Sequence, residues 1–200
     1  MTPVVTGLIV TALRERKRNR VAVELDGRPW RVLPADAVVR AGLGIGRPLD
    51  RPTARELARE VRRARALAQA TRTLATSGRS RQELDRRLAR AGHGEAAREE
   101  ALATLDRAGL LDDARLAVSR AELLARRDYG DMAIRADLRR RLVAPEAAAD
   151  AVASLEPEPE RLRRVFKGQS VTPALLRRLA GRGFSRDVLE EVASSFAPEA

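Results

Sequence analysis

The chain has 200 residues, of which 44% are hydrophobic, 34% charged and only 2% aromatic, so it can bury a core without covalent staples and that core must be aliphatic. The absence of cysteine excludes a disulfide framework, a thiolate nucleophile and any cysteine-ligated zinc or iron–sulfur site. A formal net charge of +11 directs attention to an acidic partner, nucleic acid included, and away from a neutral scaffold.

The first fifty residues differ from the rest. Residues 4–13 and 20–25 are β-rich runs, the second alternating Val21, Val23 and Leu25, and Asp26-Gly27 is a two-residue hairpin signal leading into Trp30, Val32 and Leu33. The pattern predicts a small three-stranded antiparallel module. Thr6, Gly7 and Thr11 interrupt the opening apolar run and a basic segment follows it, so it reads as neither a signal peptide nor a membrane span; the lack of cysteine makes the cytoplasm the expected compartment. Pro34 suits the start of a short helix through Val39, closed by Gly42-Leu43-Gly44-Ile45-Gly46 before a linker at 47–52.

From Thr53 onward the period turns helical. Thr53 and Glu56 have the spacing of a capping box, and Leu57, Val61, Ala64, Leu67, Ala68 and Leu74 form a stripe that stops at Gly78. Ser80 and Glu83 repeat the capping box and open a second helix with Leu84, Leu88 and Ala91 facing inward, ended by Gly92. A third helix runs over 95–108, with Ala97, Ala101, Leu102 and Leu105 inward and Gly109 as its stop.

The unit recurs twice. With Leu88, Leu138 and Leu179 as anchors, Leu84, Ile134 and Leu175 precede by one turn, and Leu74, Leu124 and Val165 stand further back at a constant offset. Ala97, Ala147 and Val188 follow at one common spacing and Glu100, Asp150 and Glu191 at another. This is the signature of stacked helical units that complete each other's core. The expected fold is mainly α, with three tandem three-helix repeats forming an elongated curved body behind a small N-terminal antiparallel β module. The expected boundaries are 1–50 for the β module and 51–112, 113–156 and 157–200 for the repeats.

Charge repeats with the helices. The middle helices are basic, carrying Arg81, Arg86, Arg87 and Arg90, then Arg135, Arg139, Arg140 and Arg141, then Arg177, Arg178 and Arg182. The third helices are acidic, with Glu95, Glu99, Glu100 and Asp106, then Glu146 and Asp150, then Asp187, Glu190 and Glu191. Two readings stand side by side: a basic stripe that binds a partner, or neighbouring helices that neutralise each other in surface ion pairs worth about 0–1 kcal/mol each. The positive excess lies in the N-terminal half, +4 over 1–50 and +5 over 51–112, against +1 in each later stretch.

Catalysis has little to stand on. His93, the single histidine, sits in the Gly92-His93-Gly94 turn and reads as a loop residue. Asp112-Asp113 reads as a helix N-cap and dipole partner rather than a metal pair. The glycines at 42, 44 and 46 and the Lys167-Gly168 pair lack the context of a phosphate-cradling loop. No enzyme activity, cofactor or metal is therefore expected. Trp30 and Phe184 are expected in the core, and Tyr129, beside Arg126, Arg127 and Gly130, as an exposed contact; so few aromatics cannot supply a continuous stacking platform.

The motifs together resemble one family. Arg79-Ser80 with Glu83-Leu84, Leu88 and Gly92, followed by Gly109-Leu110-Leu111-Asp112-Asp113 and Ala117, is similar to the first repeat and junction of the RecX family; Gly130, Ile134 and Leu138 resemble its second repeat. Leu179 with Arg182-Gly183-Phe184-Ser185 and Asp187 resembles its third. Residues 17–20, Leu25-Asp26-Gly27 and Gly42-Leu43 are similar to a β module that some members carry. The chain departs from the pattern at Leu142, which stands where the other repeats have Gly92 and Gly183, at Leu116, where the family commonly has an aromatic, at Val118, and in a shorter approach to the third middle helix. The resemblance implies a non-enzymatic regulator that lies in the groove of the RecA nucleoprotein filament. It would inhibit ATP hydrolysis and strand exchange there, and so modulate homologous recombination, DNA repair and the SOS response. On this reading Arg81, Arg86, Arg90, Arg135, Arg139, Arg140, Arg177, Arg178 and Arg182 contact RecA, and single- or double-stranded DNA where it is reached, with the chain acting as a monomer away from membranes. The competing reading is a sequence-independent DNA-binding protein, supported by the charge and opposed by scarce lysine and aromatics and by acidic third helices that would repel phosphate.

Overall fold

The computed structural model describes residues 7–167 and 169–196; Val4 and Thr6 of the opening run, and Gly168, lie outside them. In chain order the elements are β1 (Leu8–Arg16), β2 (Arg20–Leu25), β3 (Arg28–Pro34), α1 (Ala35–Arg40), β4 (Pro48–Leu49), α2 (Arg51–Thr76), α3 (Arg81–Arg90), α4 (Glu95–Arg107), α5 (Asp113–Ala125), α6 (Asp131–Arg140), α7 (Pro145–Ala153), α8 (Glu158–Phe166), α9 (Pro173–Gly181) and α10 (Arg186–Ser194). The fold is mainly helical with a small antiparallel sheet at its N-terminal end. Contacts divide it into two units, one holding the described residues up to Ser77 with Leu84–Leu110, the other Gly78–Glu83 with the described residues from Leu111 on.

In the first unit the sheet has four strands rather than the expected three, ordered β3-β2-β1-β4 with every pairing antiparallel. The extra strand comes from the supposed linker: Leu49 and Pro48 pair with Leu8 and Ile9. The β2–β3 hairpin turns on Asp26 and Gly27, both at positive φ, which matches the right-handed twist of the strands. Val10, Val23, Leu25 and Leu33 of the sheet pack against Val38 of α1, Leu43 of the loop after it, and Leu57 of α2. Trp30, expected in this core, is 38% exposed. Val23 pairs with Arg31 and Glu24 with Pro29, so Trp30 is the extra residue of a bulge on an edge strand while aliphatic side chains fill the interior.

Helix α2 starts earlier than its capping-box spacing suggests. Asp50 is the N-cap, its carboxylate accepting from the Thr53 N–H at 2.9 Å, with Pro52 in the first turn. Its buried positions are Leu57, Glu60, Arg63, Ala66 and Ala70, whereas Val61, Ala64 and Leu67 are half-buried and Ala68 is exposed. The expected apolar stripe is thus displaced onto a face that includes two charged residues. Ala66 meets Ala97 and Ala101 of α4, and these small side chains let the helix backbones approach closely.

In the second unit α5, α6 and α7 enclose Ala117, Ala121, Leu124, Ile134, Leu138, Val143 and Val152. Helices α8, α9 and α10 enclose Leu162, Phe166, Leu175, Leu179, Phe184, Leu189 and Val192. Phe184 is buried as expected; in α8 it is Phe166, not Val165, that lies fully inside.

The three anchor leucines, Leu88, Leu138 and Leu179, are at most 1% exposed. Each also supplies the carbonyl that closes its helix, accepting the N–H of His93, Val143 and Phe184 at 3.1, 3.1 and 3.3 Å. The residue before each donor is left-handed: Gly92 at φ 83°, Leu142 at 59° and Gly183 at 85°. Leu142 therefore adopts the glycine conformation of its counterparts instead of altering the helix end. Ala91, expected inward, is exposed, because α3 has already ended at that cap.

A second feature recurs where one helix triplet meets the next. Ser80, before α3, donates its hydroxyl to the carbonyl of Arg141, just after α6, at 2.5 Å. Gly130, before α6, donates its N–H to the carbonyl of Arg182, just after α9, at 3.0 Å. One residue on, the N–H of Arg81 donates to the Asp113 carboxylate and that of Asp131 to the Glu158 carboxylate, at 2.8 and 2.6 Å. Asp113 and Glu158 are the first residues of α5 and α8.

Candidate partner-binding surface

The basic side chains of α3, α6 and α9 divide into those used by the fold and those left to solvent. On α3, Leu84 and Leu88 mark the buried face, and Arg86 and Arg90, two residues on from each, point to solvent. Arg90 Nε donates to the Arg86 carbonyl at 3.3 Å, and no carboxylate among the described residues reaches either guanidinium. On α6, Arg139 is exposed without an ion pair to the described residues, while Arg135 and Arg140 make loose same-helix contacts of 3.7 and 3.6 Å to Asp131 and Asp137. On α9, Arg177 and Arg178 are exposed, also without ion pairs among the described residues.

Arg81 and Arg182 are engaged in the framework. Arg81 is half-buried at the α3 N-terminus, where its N–H meets Asp113. Arg182 reaches across to the loop after α5, donating to the Arg127 carbonyl at 3.1 Å, approaching Asp128 at 3.8 Å and lying 5.7 Å from the centre of the Tyr129 ring. Tyr129 is therefore half-buried beneath a guanidinium rather than an open contact.

The acidic third helices do not neutralise the exposed cations. Between α3 and α4 the observed pair runs the other way, Arg98 of α4 to Asp85 of α3 at 2.7 Å. Asp137 on α6 is held instead by Arg120 of α5 and by Arg141, at 2.7 and 3.0 Å. Burial pushes its carboxyl upward, but these hydrogen bonds outweigh that and leave it below the ordinary aspartate range. Glu100 of α4 serves Arg59 and Arg63 of α2, at 3.2 and 3.4 Å.

Two buried charge clusters escape a reading by hydrophobic period alone. Glu60 and Arg63, both buried on α2, pair at 3.6 Å. Arg161, 4% exposed, binds the Asp131 carboxylate, the Tyr129 carbonyl at 3.0 Å and the Glu156 carbonyl at 2.9 Å. The available signal was charge at helical spacing within an apolar stripe, as in Leu57, Glu60, Arg63 and Ala66. His93 lies in its turn as expected, with a ring nitrogen 2.9 Å from Gln69 Oε1. Asp112 caps α5 through the Arg115 N–H at 2.8 Å. Among the described residues no group of three or more histidines or carboxylates could hold a metal ion, and no helix is long and apolar enough to cross a membrane.

The fold and this surface define a helical-repeat protein with an appended β module and arginines displayed on the middle helix of each triplet. No family model matches the chain. Regulatory protein RecX of Thermus thermophilus is 40% identical to it over 128 residues, 63% of this chain and 88% of that protein. A crystal structure of regulatory protein RecX shares the fold over 94% of this chain and 99% of its own, with a TM-score of 0.76 and 21% identity. RecX from Lactobacillus salivarius shares it over 67% of this chain and 96% of its own, with a TM-score of 0.59 and 18% identity. The chain belongs to the RecX family of regulatory proteins.

Proposed function

We propose that this protein restrains the RecA recombinase by binding its nucleoprotein filament, lowering ATP hydrolysis and strand exchange and so modulating recombination, repair and the SOS response. It acts by occupancy rather than catalysis, as a cytoplasmic monomer whose successive triplets, 51–112, 113–156 and 157–200, each offer a middle helix. The observation that carries this reading is the set of exposed guanidinium groups at Arg86, Arg90, Arg139, Arg177 and Arg178, for which the described residues supply no carboxylate. Such groups add little to folding, yet pair bidentately with carboxylates or phosphates on a partner. Arg135 and Arg140 belong to the same set through weak contacts that a partner can replace, and Arg81 and Arg182 stand at its edges.

The test is direct. Purified protein added to preformed RecA filaments on single-stranded DNA is expected to reduce the rate of ATP hydrolysis at or below equimolar ratio to RecA. An unchanged rate overturns the proposal.

A further inference from the structure

The first unit carries a groove of about 440 Å³ between the edge strand β3 and α2, lined by Trp30, Arg31, Ala58, Val61, Arg62 and Arg65 among others. Trp30 is the chain's single tryptophan and, through the β3 bulge, is 38% exposed there. The Arg31 guanidinium lies 5.4 Å from the centre of its ring. Arg62 and Arg65 are exposed on the opposite wall, neither carries an ion pair to the described residues, and no carboxylate lines the groove.

The two sides of α2 make the contrast sharp. Arg59 and Arg63 face α4 and are neutralised by Glu56, Glu60 and Glu100. Arg62 and Arg65 face the groove bare. A half-exposed indole flanked by guanidinium groups and free of acids complements a ligand with a flat π face and closely spaced negative charges. Single-stranded nucleic acid has both. A duplex keeps its base faces stacked inside, and an acidic polypeptide offers charge without a ring.

We propose that this groove is a short binding site for single-stranded nucleic acid, with one base stacked on Trp30 and neighbouring phosphates held by Arg31, Arg62 and Arg65. The site is independent of the arginines on α3, α6 and α9. It admits one base, consistent with so few aromatics.

Because Trp30 is the single indole, its emission reports on this groove alone. The full-length protein is titrated at low salt with an end-labelled oligothymidylate of roughly twelve nucleotides, within the usual range of such sites. Saturable quenching of Trp30 emission in step with the rise in oligonucleotide anisotropy is the expected result. Trp30→Ala should weaken binding about ten-fold and Trp30→Phe should recover most of it, since any aromatic face can stack. Arg62→Glu with Arg65→Glu should flatten the slope of log affinity against log salt by about 1.4, roughly 0.7 per phosphate contact. Circular dichroism of each variant verifies that the fold is kept. Rising anisotropy with unchanged Trp30 emission would place binding elsewhere and overturn the proposal. So would equal quenching by a duplex of the same length, or displacement of the oligonucleotide by polyglutamate.

Discussion

The Ser80 hydroxyl joins two helix triplets through one atom. It donates to the Arg141 carbonyl at 2.5 Å while accepting the Glu83 N–H at 3.1 Å, capping α3 and securing the end of α6 from a fully buried position. Ser80→Ala removes both bonds and leaves the half-buried Arg141 carbonyl and Glu83 N–H without this partner, so a loss of about 1–3 kcal/mol is expected. Urea unfolding checks it, and a midpoint indistinguishable from wild type would show that the junction does not hold the structure.

The equivalent position in the next triplet uses glycine for a steric reason. A Cβ on Gly130 would run into the backbone of Gly183 and Phe184, and one on Gly183 would come within 2.5 Å of Ala133. Gly130→Ala is therefore expected to cost about 1–3 kcal/mol through overpacking, on top of the smaller loss of placing alanine at an N-cap. Gly94, the N-cap of α4 with open space around it, serves as the control, because Gly94→Ala carries the same N-cap loss without the clash and should cost less than Gly130→Ala.

Leu142 holds a left-handed conformation that its counterparts Gly92 and Gly183 adopt without strain. Leu142→Gly should relieve about 1 kcal/mol, offset in part by the apolar contact that a half-buried leucine gives up. Thermal unfolding is the measurement. A destabilised variant would mean that packing at Leu142 outweighs the backbone cost.

Asp137 ties stability to pH. The hydrogen bonds from Arg120 and Arg141 hold its carboxyl below the ordinary value, against the upward push of burial. The ionised form thus favours folding, fully above the unfolded-state value of about 4, and the contribution fades as pH falls through the lower folded value. Asp137→Asn should cost about 1–3 kcal/mol at pH 7, and the gap to wild type should close in strongly acidic buffer. A gap that stays constant down to about pH 2 would remove Asp137 as the titrating group.

Much of the fold was legible because its signals are local and periodic. Asp26-Gly27 marked the hairpin, and Leu88, Leu138 and Leu179 marked three helix ends that share one cap geometry. What escaped depended on tertiary neighbours. Strand β4 has two residues and exists through its pairing with Leu8 and Ile9, a partner that no local pattern at 47–52 names. Trp30 looked like core because tryptophan usually is, but a bulge one residue long turned it outward. Glu60 and Arg63 broke the apolar period of α2 because Arg59, Glu100 and Thr104 were there to receive them. The candidate surface was visible as composition on the middle helices. Which arginines remain unengaged follows from individual contacts, as Arg182 over Tyr129 shows.

The surface proposed to meet RecA is tested by reversing charge where the fold asks least of it. Arg86, Arg90 and Arg177 are exposed without ion pairs among the described residues, and Arg140 is 76% exposed with one loose contact to Asp137. A combined Arg86→Glu, Arg90→Glu, Arg140→Glu and Arg177→Glu variant should therefore fold normally, since exposed pairs contribute about 0–1 kcal/mol. It should nevertheless lose inhibition of RecA, because each reversal replaces an attraction with a repulsion at the partner's acidic groups. Leu88→Ala supplies the contrast: deleting a fully buried leucine should cost about 2–5 kcal/mol and reduce every activity through unfolding. Quenching of Trp30 emission by an oligonucleotide offers a third readout, which the four reversals should leave intact if the groove beside β3 binds independently. Inhibition that survives all four reversals in a folded protein would remove the middle helices as the binding face.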